Sequence, residues 1–354
     1  MKLALQLAAS ARGNTNPNPL VGAVIVKDGV IVGTGMHRKA GEPHAEVHAF
    51  NMAGEQAKGA TLYVTLEPCS HYGKTPPCAL RVKESGVSRV FVATEDPNPS
   101  VAGRGIQLLR DAGIEVEVGL LQDEARRLNE RFIHNMLTEM PFIRTKYAMT
   151  LDGRIATHTG DSKWITAAAA REDVHRIRHE VDGILVGIQT VLADNPSLTT
   201  RLREGYGKNP TRIVFDNALR TPLDANVCND EAKTIFVVQE DVAADKRAQY
   251  EALGHTVMER GETLRQTLQL LYKVGMTDIL VEGGGSIHSS FVRANVVNQY
   301  IIYIAPKIIG GAASLSPVTG ADVDFMRDAH DVQFTSFEQI GDDLKIIAYP
   351  KEGK

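Results

Sequence analysis

His44 and Glu46 stand two residues apart in PHAEVHAF, directly after Pro43. Further along, a strand-like stretch ends in Glu67-Pro68-Cys69, and eight residues separate Cys69 from Cys78. One imidazole and two thiolates make three ligands for a borderline metal such as zinc. A fourth position is left for water, the arrangement of a catalytic site rather than a closed structural one. Both cysteines lie beside predicted helix starts, where backbone N–H groups favour thiolate. Glu46 is spaced to reach the open position without ligating. There it would take a proton from the attacking water, pass it to a ring nitrogen and then protonate a leaving amine. An arbitrary H-x-E is more often a polar pair on a solvated helix, so the two cysteines are what change the reading.

H-x-E followed by P-C-x-x-C is the pattern of the zinc nucleobase deaminases. Here the cysteines are further apart, and the inserted SHYGKTPP lies beside the metal. Gly73-Lys74-Thr75 within it looks like the end of a P-loop, but Pro68 stands where that loop requires glycine. NPNPLVGAVIV, PHAEVHAF and LEPCSHYGKTPPC together closely resemble the deaminase half of the bifunctional deaminase–reductase family of riboflavin biosynthesis. The resemblance spans residues 1 to about 140. It implies a cytidine-deaminase-like α/β/α domain, zinc held by His44, Cys69 and Cys78, and Glu46 as proton shuttle. It further implies that His37, His71 and Lys74 meet the phosphoribosyl end of the substrate and Asn18 the pyrimidine. Asp96 and Asn98 in DPNP are further candidates, with a turn stabilised by Asx side chains as the alternative.

In the second part, ILVEGGGSIHSSF reads as a strand, three glycines and a helix. Glycines let a phosphate approach the backbone N–H groups of a helix N-terminus. The run is not a dinucleotide G-x-G-x-x-G, and a tight strand-to-helix turn would look the same. KYAMTLDGRIATHTGDSKWIT, GILVGIQTVLADNPSLTTR and VEGGGSIHSSF are similar to the reductase half of the same family. That implies a dihydrofolate-reductase-like α/β domain over 141–354 that uses NADPH. Arg178 and Arg201 would clamp the substrate phosphate, since guanidinium offers paired donors, and Ser162 and Leu198 would line the same site. Ala148, Trp164, Thr190, Asp194 and Asn217 match cofactor contacts, with Gly284, Gly285, Ser286, Ile287, His288, Ser289 and Ser290 cradling the phosphates. Lys146 and Glu282 sit at strand ends where they could orient the substrate or form an ion pair. Trp164, the single tryptophan, could stack on a ligand or belong to the core. Cys228, in CNDE, has no assigned role.

The elements that would position these residues alternate. Leu3–Ala11 reads as a helix, Val21–Val26 and Val30–Thr34 as a hairpin around Asp28-Gly29, and Pro43 opens a helix running to about Ala53. Strands follow at Thr61–Leu66, Arg89–Thr94 and Glu115–Gly119, with helices at Cys78–Ser85, Gly103–Ala112 and Asp123–Thr138. After a boundary near Pro141, strands are expected at Phe142–Met149, Gly183–Gly187, Arg212–Phe215, Thr234–Val238, Asp278–Glu282 and Gln299–Ile304. Helices are expected at Ala167–Glu180 and Gln189–Ala193. Leu344–Tyr349 would be a last strand at a sheet edge, 201–210 an exposed loop, and 219–275 fold without a role. Such alternation implies mainly parallel sheets covered by helices.

The bulk numbers fit two ordinary domains: 354 residues, 43% apolar and 23% charged. Residues 1–140 carry 15 basic and 15 acidic side chains, and the remainder accounts for the net charge of −4. Neither part has the basic excess of a protein that holds a polyanion by counterion release, which favours small-molecule substrates over nucleic acid and argues against a tRNA deaminase. Three cysteines suit a reducing, cytoplasmic setting better than a disulfide framework. No apolar run reaches ~18 residues, and the amino-terminal segment reads as a mature helix rather than a leader. The resemblance implies a homo-oligomer. A zinc-stabilised binding module without turnover is the rival reading, against which Glu46 speaks.

Overall fold

The computed structural model describes residues 1–351 apart from 71, 73–75, 99–101 and 204–206. The chain divides into two compact units, Met1–Glu139 and Met140–Lys354.

The first unit runs α1 (Lys2–Ala9), β1 (Gly22–Lys27), β2 (Val30–Met36), α2 (Ala45–Ala53), β3 (Thr61–Val64), α3 (Cys78–Glu84), β4 (Arg89–Val92), α4 (Arg104–Asp111), β5 (Glu115–Val118), α5 (Gln122–Leu128) and α6 (Glu130–Thr138). Its sheet has the order β2-β1-β3-β4-β5. The hairpin forms as its turn residues require, with Asp28 and Gly29 both at positive φ. That hairpin sets β1 antiparallel to both neighbours, so only β3, β4 and β5 are parallel. Alternate strand residues Ala23, Ile25, Leu62, Val64, Val90 and Val92 are buried with Ala45, Ala49 and Ala53 of α2. The small side chains of α2 let it lie close on the sheet. At Gly35 a Cβ would stand 2.1 Å from the Ala45 carbonyl oxygen, and at Gly33 2.3 Å from that of Ala49.

The expected long helix over 123–138 is two helices. Asn129 breaks the run because its buried side chain is otherwise engaged. Its Oδ1 accepts from the Leu20 N–H (2.8 Å) and its Nδ2 donates to the Leu20 carbonyl (2.9 Å). An amide bonded this way offers the backbone of a distant loop a strand-like partner, and it fixes the segment that carries Asn18.

The second unit contains β6 (Phe142–Thr150), α7 (Ala168–Glu180), β7 (Gly183–Gly187), α8 (Ile188–Asp194), β8 (Thr211–Phe215), β9 (Thr234–Val238), α9 (Ala244–Ala252), β10 (Thr256–Glu259), α10 (Leu264–Lys273), β11 (Asp278–Val281), α11 (Gly285–Arg293), β12 (Gln299–Ala305), β13 (Val332–Ile340) and β14 (Asp343–Pro350). The sheet order is β10-β9-β8-β7-β11-β6-β12-β14-β13. Strands from β10 to β12 are parallel, and β14 and β13 close the sheet antiparallel. The last strand is therefore not an edge. It lies between β12 and β13, and β13 takes the edge. Most of β13 is exposed, so it has no buried alternate residues and its sequence shows no strand period.

Alanine at Gly35 should lift α2, which follows His44 directly and carries Glu46. We expect Gly35→Ala to lower the denaturant midpoint of the first unit by the equivalent of about 1–3 kcal/mol, with a lower bound-metal content. Unchanged unfolding and metal content would show that the helix does not need this approach.

Candidate active sites

Two chain segments build the first site. His44 is the residue preceding α2, and Cys78 opens α3. The loop after β3 brings in Cys69. The His44 Nδ1 lies 3.3 Å from the Cys78 sulfur and 3.7 Å from that of Cys69, and the three donor atoms all fall within 4.8 Å of one another. Tetrahedral zinc with usual Zn–N and Zn–S bond lengths would separate nitrogen and sulfur by roughly 3.5 Å, so the triangle has the size this ion needs. Cys69 also accepts from the Cys78 backbone N–H (3.3 Å). A hydrogen bond from the Cys78 thiol holds Cys69 down at about 4 against its burial, with His44 adding to the effect. The same bond, with burial, pushes Cys78 up.

Glu46 lies in the first turn of α2 and is 3% exposed. Burial pushes its carboxyl pKa upward, and its Oε2 has no hydrogen-bond partner. Glu46, His44 and Cys69 face a cavity of about 260 Å³, lined also by Asn18, His37, Glu67, Asp96, Asn98, Phe132 and Met136. His37, 2% exposed, is held at both ring nitrogens. Nδ1 lies 3.2 Å from the Pro43 carbonyl and must donate to it. Nε2 then accepts from the Asn18 amide nitrogen at 3.1 Å. Burial lowers the His37 pKa, which agrees with this neutral form. The Asx turn expected at 96–98 is present, with the Asn98 N–H donating to Asp96 Oδ1 (2.9 Å), and both residues nonetheless line the cavity. His71 and Lys74 lie outside the described residues. Sequence reasoning missed Phe132 and Met136, whose i, i+4 spacing on an apolar helix face is the signal that could have found them.

The second site lies where β7 and β11 end, beside the middle of β6, so Lys146 is not at a strand end. A cavity of about 720 Å³ gathers Lys146, Ala148, Ser162, Trp164, Arg178, Thr190, Asp194, Leu198, Arg201, Glu282 and Gly284 of the expected residues. Among the described residues, Lys146, Arg171, Arg178 and Arg201 face it against Asp194 and Glu282, an excess of cations suited to an anionic ligand. Arg178 makes a two-pronged pair with Glu282, Nε to Oε1 and Nη2 to Oε2 at 3.0 Å each. Its Nη1 donates to the Thr199 carbonyl (3.1 Å), while Arg201 donates to the Thr199 hydroxyl (2.9 Å). Burial alone would raise Glu282, but Arg178 and Lys146 outweigh it and hold the carboxyl at about 2. Burial lowers Lys146 despite Glu282. His175, also on the cavity wall, is held at about 4 by burial and by Arg178 and Arg201. It accepts from the Arg201 N–H (3.2 Å). His175 and Arg171 were missed, although Arg171, Val174, His175 and Arg178 recur at one-face helical spacing.

Trp164 is 63% exposed with the Arg171 guanidinium 4.5 Å from its ring centre, so it is not core. Beyond Gly284, the glycine-rich segment diverges. Gly285, Ser286, Ile287 and Ser290 do not line this cavity, and Ser289 lines a separate one of about 700 Å³ with Arg293 and Thr319. His288 is fully buried, edge-on to Tyr147 at 5.5 Å, and burial holds it at about 4. Asn217 stands after β8, outside the cavity lining, its carbonyl accepting from the Gln239 N–H (3.1 Å).

Comparison with known proteins fits this geometry. Residues 141–346 match the RibD C-terminal domain, and residues 1–94 match the cytidine and deoxycytidylate deaminase zinc-binding region. The riboflavin biosynthesis protein RibD of Bacillus amyloliquefaciens is 50% identical over 361 residues, covering 100% of this chain and 96% of its own. The chain belongs to the RibD family. RibD of Escherichia coli is 41% identical, covering 97% of this chain and 96% of its own. Among solved structures, RibD of Acinetobacter baumannii superposes with a TM-score of 0.92 at 39% identity, covering 99% of this chain and 98% of that one. A diaminohydroxyphosphoribosylaminopyrimidine deaminase/5-amino-6-(5-phosphoribosylamino)uracil reductase of Thermotoga maritima gives 0.88 at 37%, covering 99% and 97%. The cytidine-deaminase-like and reductase folds of the RibD family thus account for both units.

Glu282 has a folded pKa near 2, below its ordinary 4.5. Its contribution to stability is present above about 4.5 and is lost as pH falls towards 2. Glu282→Gln should lower the denaturant midpoint of the reductase unit at pH 7 and flatten its fall between those pH values. An unaltered pH profile would mean that the pair with Arg178 contributes nothing.

Proposed function

We propose that residues 1–140 hydrolytically deaminate 2,5-diamino-6-(5-phosphoribosylamino)pyrimidin-4(3H)-one, and that residues 141–354 reduce the ribosyl side chain of the resulting 5-amino-6-(5-phosphoribosylamino)uracil to ribityl with NADPH. The observation that carries the first half is the buried Glu46 oxygen without a hydrogen-bond partner, in a cavity that also holds His44 and Cys69 of the zinc-sized His44–Cys69–Cys78 triangle. A structural metal site has no use for such a carboxyl. Zinc bound there supplies the Lewis acidity that makes water nucleophilic near neutral pH. Glu46, its pKa raised by burial, is suited both to accept a proton and to return one to the departing amine. Asn18, its amide nitrogen committed to His37, presents what remains of the amide to the pyrimidine, so His37 acts through Asn18. Asp96 and Asn98 meet the same ring. Lys74 and His71 belong with the phosphoribosyl end.

In the reductase, the cation excess supports a phosphorylated substrate. Arg201 and Arg178, spaced by Thr199, take the phosphate. Lys146 and Glu282 orient the reacting sugar, with Ser162 and Leu198 beside it. Ala148, Trp164, Thr190 and Asp194 hold the cofactor. The first-turn N–H groups of α11 have no partners within the helix and suit its phosphates, with Gly284 open to them. Consecutive steps on one phosphoribosyl compound give the fusion its rationale. The family's bacterial members support a cytoplasmic enzyme, and the exposed edge of β13, with Phe334 beside Phe337 at 5.4 Å, supports a homo-oligomer.

Glu46→Gln should retain one zinc per chain and the reduction of supplied uracil intermediate, while ammonia release falls a hundredfold or more; general acid–base steps are worth about 10²–10⁴. Ammonia release near the parent rate would refute the shuttle.

The 2′-phosphate of NADPH needs donors, which Ser162, Lys163 and Thr190 can supply. A charge-assisted contact of about 1.5–3 kcal/mol corresponds to roughly a ten- to hundredfold preference in kcat/KM over NADH. Equal values for the two cofactors would remove this assignment.

A further inference from the structure

Glu67 is 3% exposed, precedes the zinc ligand Cys69 by two residues and lines the deaminase cavity. Its carboxyl group accepts four backbone N–H bonds. Oε2 takes those of Asp96 (3.2 Å) and Gly103 (2.9 Å), and Oε1 those of Gly105 (2.8 Å) and Ile106 (3.3 Å). Its own N–H donates to the Thr94 carbonyl (3.0 Å). Both ends of the segment from Asp96 to Ile106 are therefore tied to one side chain. The tie continues towards the ligand: Asp96, held by its backbone, accepts from the Asn98 N–H, and the Asn98 carbonyl accepts from Ala102 (2.9 Å). At the other end α4 lies against the zinc loop. A Cβ on Gly105 would stand 2.1 Å from the Pro68 carbonyl oxygen.

We infer that Glu67 is a positioning residue for the deamination, one that sets Asp96 and Asn98 at a fixed distance from the metal ligands and so determines how tightly the pyrimidine is held over them. Glu67 joins the segment bearing a metal ligand to the segment bearing the proposed ring contacts, with one bond running to Asp96 itself and three to the start of α4, where that segment ends. Glutamine at 67 keeps the shape but must turn an NH₂ towards one pair of N–H donors, which releases either the Asp96 end or the α4 end. The metal ligands stay in place, so binding should suffer more than turnover.

The inference rests on the reading of Asp96 and Asn98 as substrate contacts, and the test separates the two. Full-length Glu67→Gln, Asp96→Asn and the double variant would be compared in steady-state ammonia release from the diaminopyrimidine phosphate, with zinc content and the reductase activity measured on the same samples. Glu67→Gln should raise KM tenfold or more, change kcat less than threefold, and keep zinc and reduction. In the double-mutant cycle its effect on KM should largely vanish in the Asp96→Asn background, because one residue acts through the other. Glu67→Asp, with both oxygens withdrawn by one methylene, should raise KM in the same cycle, and it carries the test where the glutamine variant does not fold. A normal KM for Asp96→Asn overturns the reading of the ring contacts. A raised KM there with strictly additive effects, or zinc loss or a collapse of kcat at unchanged KM in the Glu67 variants, overturns the role of Glu67.

Discussion

The deaminase site depends on three donor atoms from two separate segments meeting within 4.8 Å. The backbone of those two segments brings two thiol groups and an imidazole this close. The parallel strands β3 and β4 deliver their following loops to the same end of the sheet, where ligands of such sheets collect. The first N–H groups of α3 close around Cys69: that of Cys78 reaches its sulfur and that of Ala79 its carbonyl at 3.1 Å. His44 is set from the other side by α2, whose height over the sheet is fixed by Gly33 and Gly35. Sulfur atoms brought beside helix N–H groups lose protons readily, and metal binding requires that loss.

The two units treat a buried glutamate in opposite ways. Glu46 keeps an oxygen without a partner, and burial raises its pKa. Glu282 has both oxygens on Arg178, and its pKa is held near 2. A carboxyl that must gain and lose a proton during turnover needs the first environment. A carboxyl whose task is to stay charged and fix its neighbours needs the second. Replacing a buried pair by apolar side chains can be neutral, whereas removing one partner is costly, so the Arg178–Glu282 pair is better understood as fixing geometry than as a source of stability.

Much of this was legible in the chain. The metal triangle was, because ligand chemistry restricts residue types so severely that H-x-E with two cysteines has few other uses. The strands bordering both sites were, β3 and β4 by alternating burial and β7 and β11 as short unbroken apolar runs. Other features carry no local pattern. Asn129 breaks a helix whose sequence is continuous, because its partner is Leu20, more than a hundred residues away. The edge strand β13 was missed because exposure on both faces removes the alternation on which detection rests. His175 escaped notice as one histidine on a charged helix. The role of Glu67 was equally hidden: all four of its partners are backbone groups, which any sequence would supply.

The arginines of the reductase show a further limit of reading residue types alone. Arg178 and Arg201 look equivalent in sequence, each a planar fork suited to phosphate. In the fold they are not. Three nitrogens of Arg178 already donate to Glu282 and Thr199, while Arg201 spends one on the Thr199 hydroxyl. Thr199 touches both, with carbonyl to one and hydroxyl to the other, and so sets their spacing. Arg201 therefore retains more donors for a ligand, and Arg178 contributes chiefly fixed charge at a known position. A phosphate between them would meet one cation that binds and one that is already braced, an arrangement in which little ordering remains to be done when the substrate arrives.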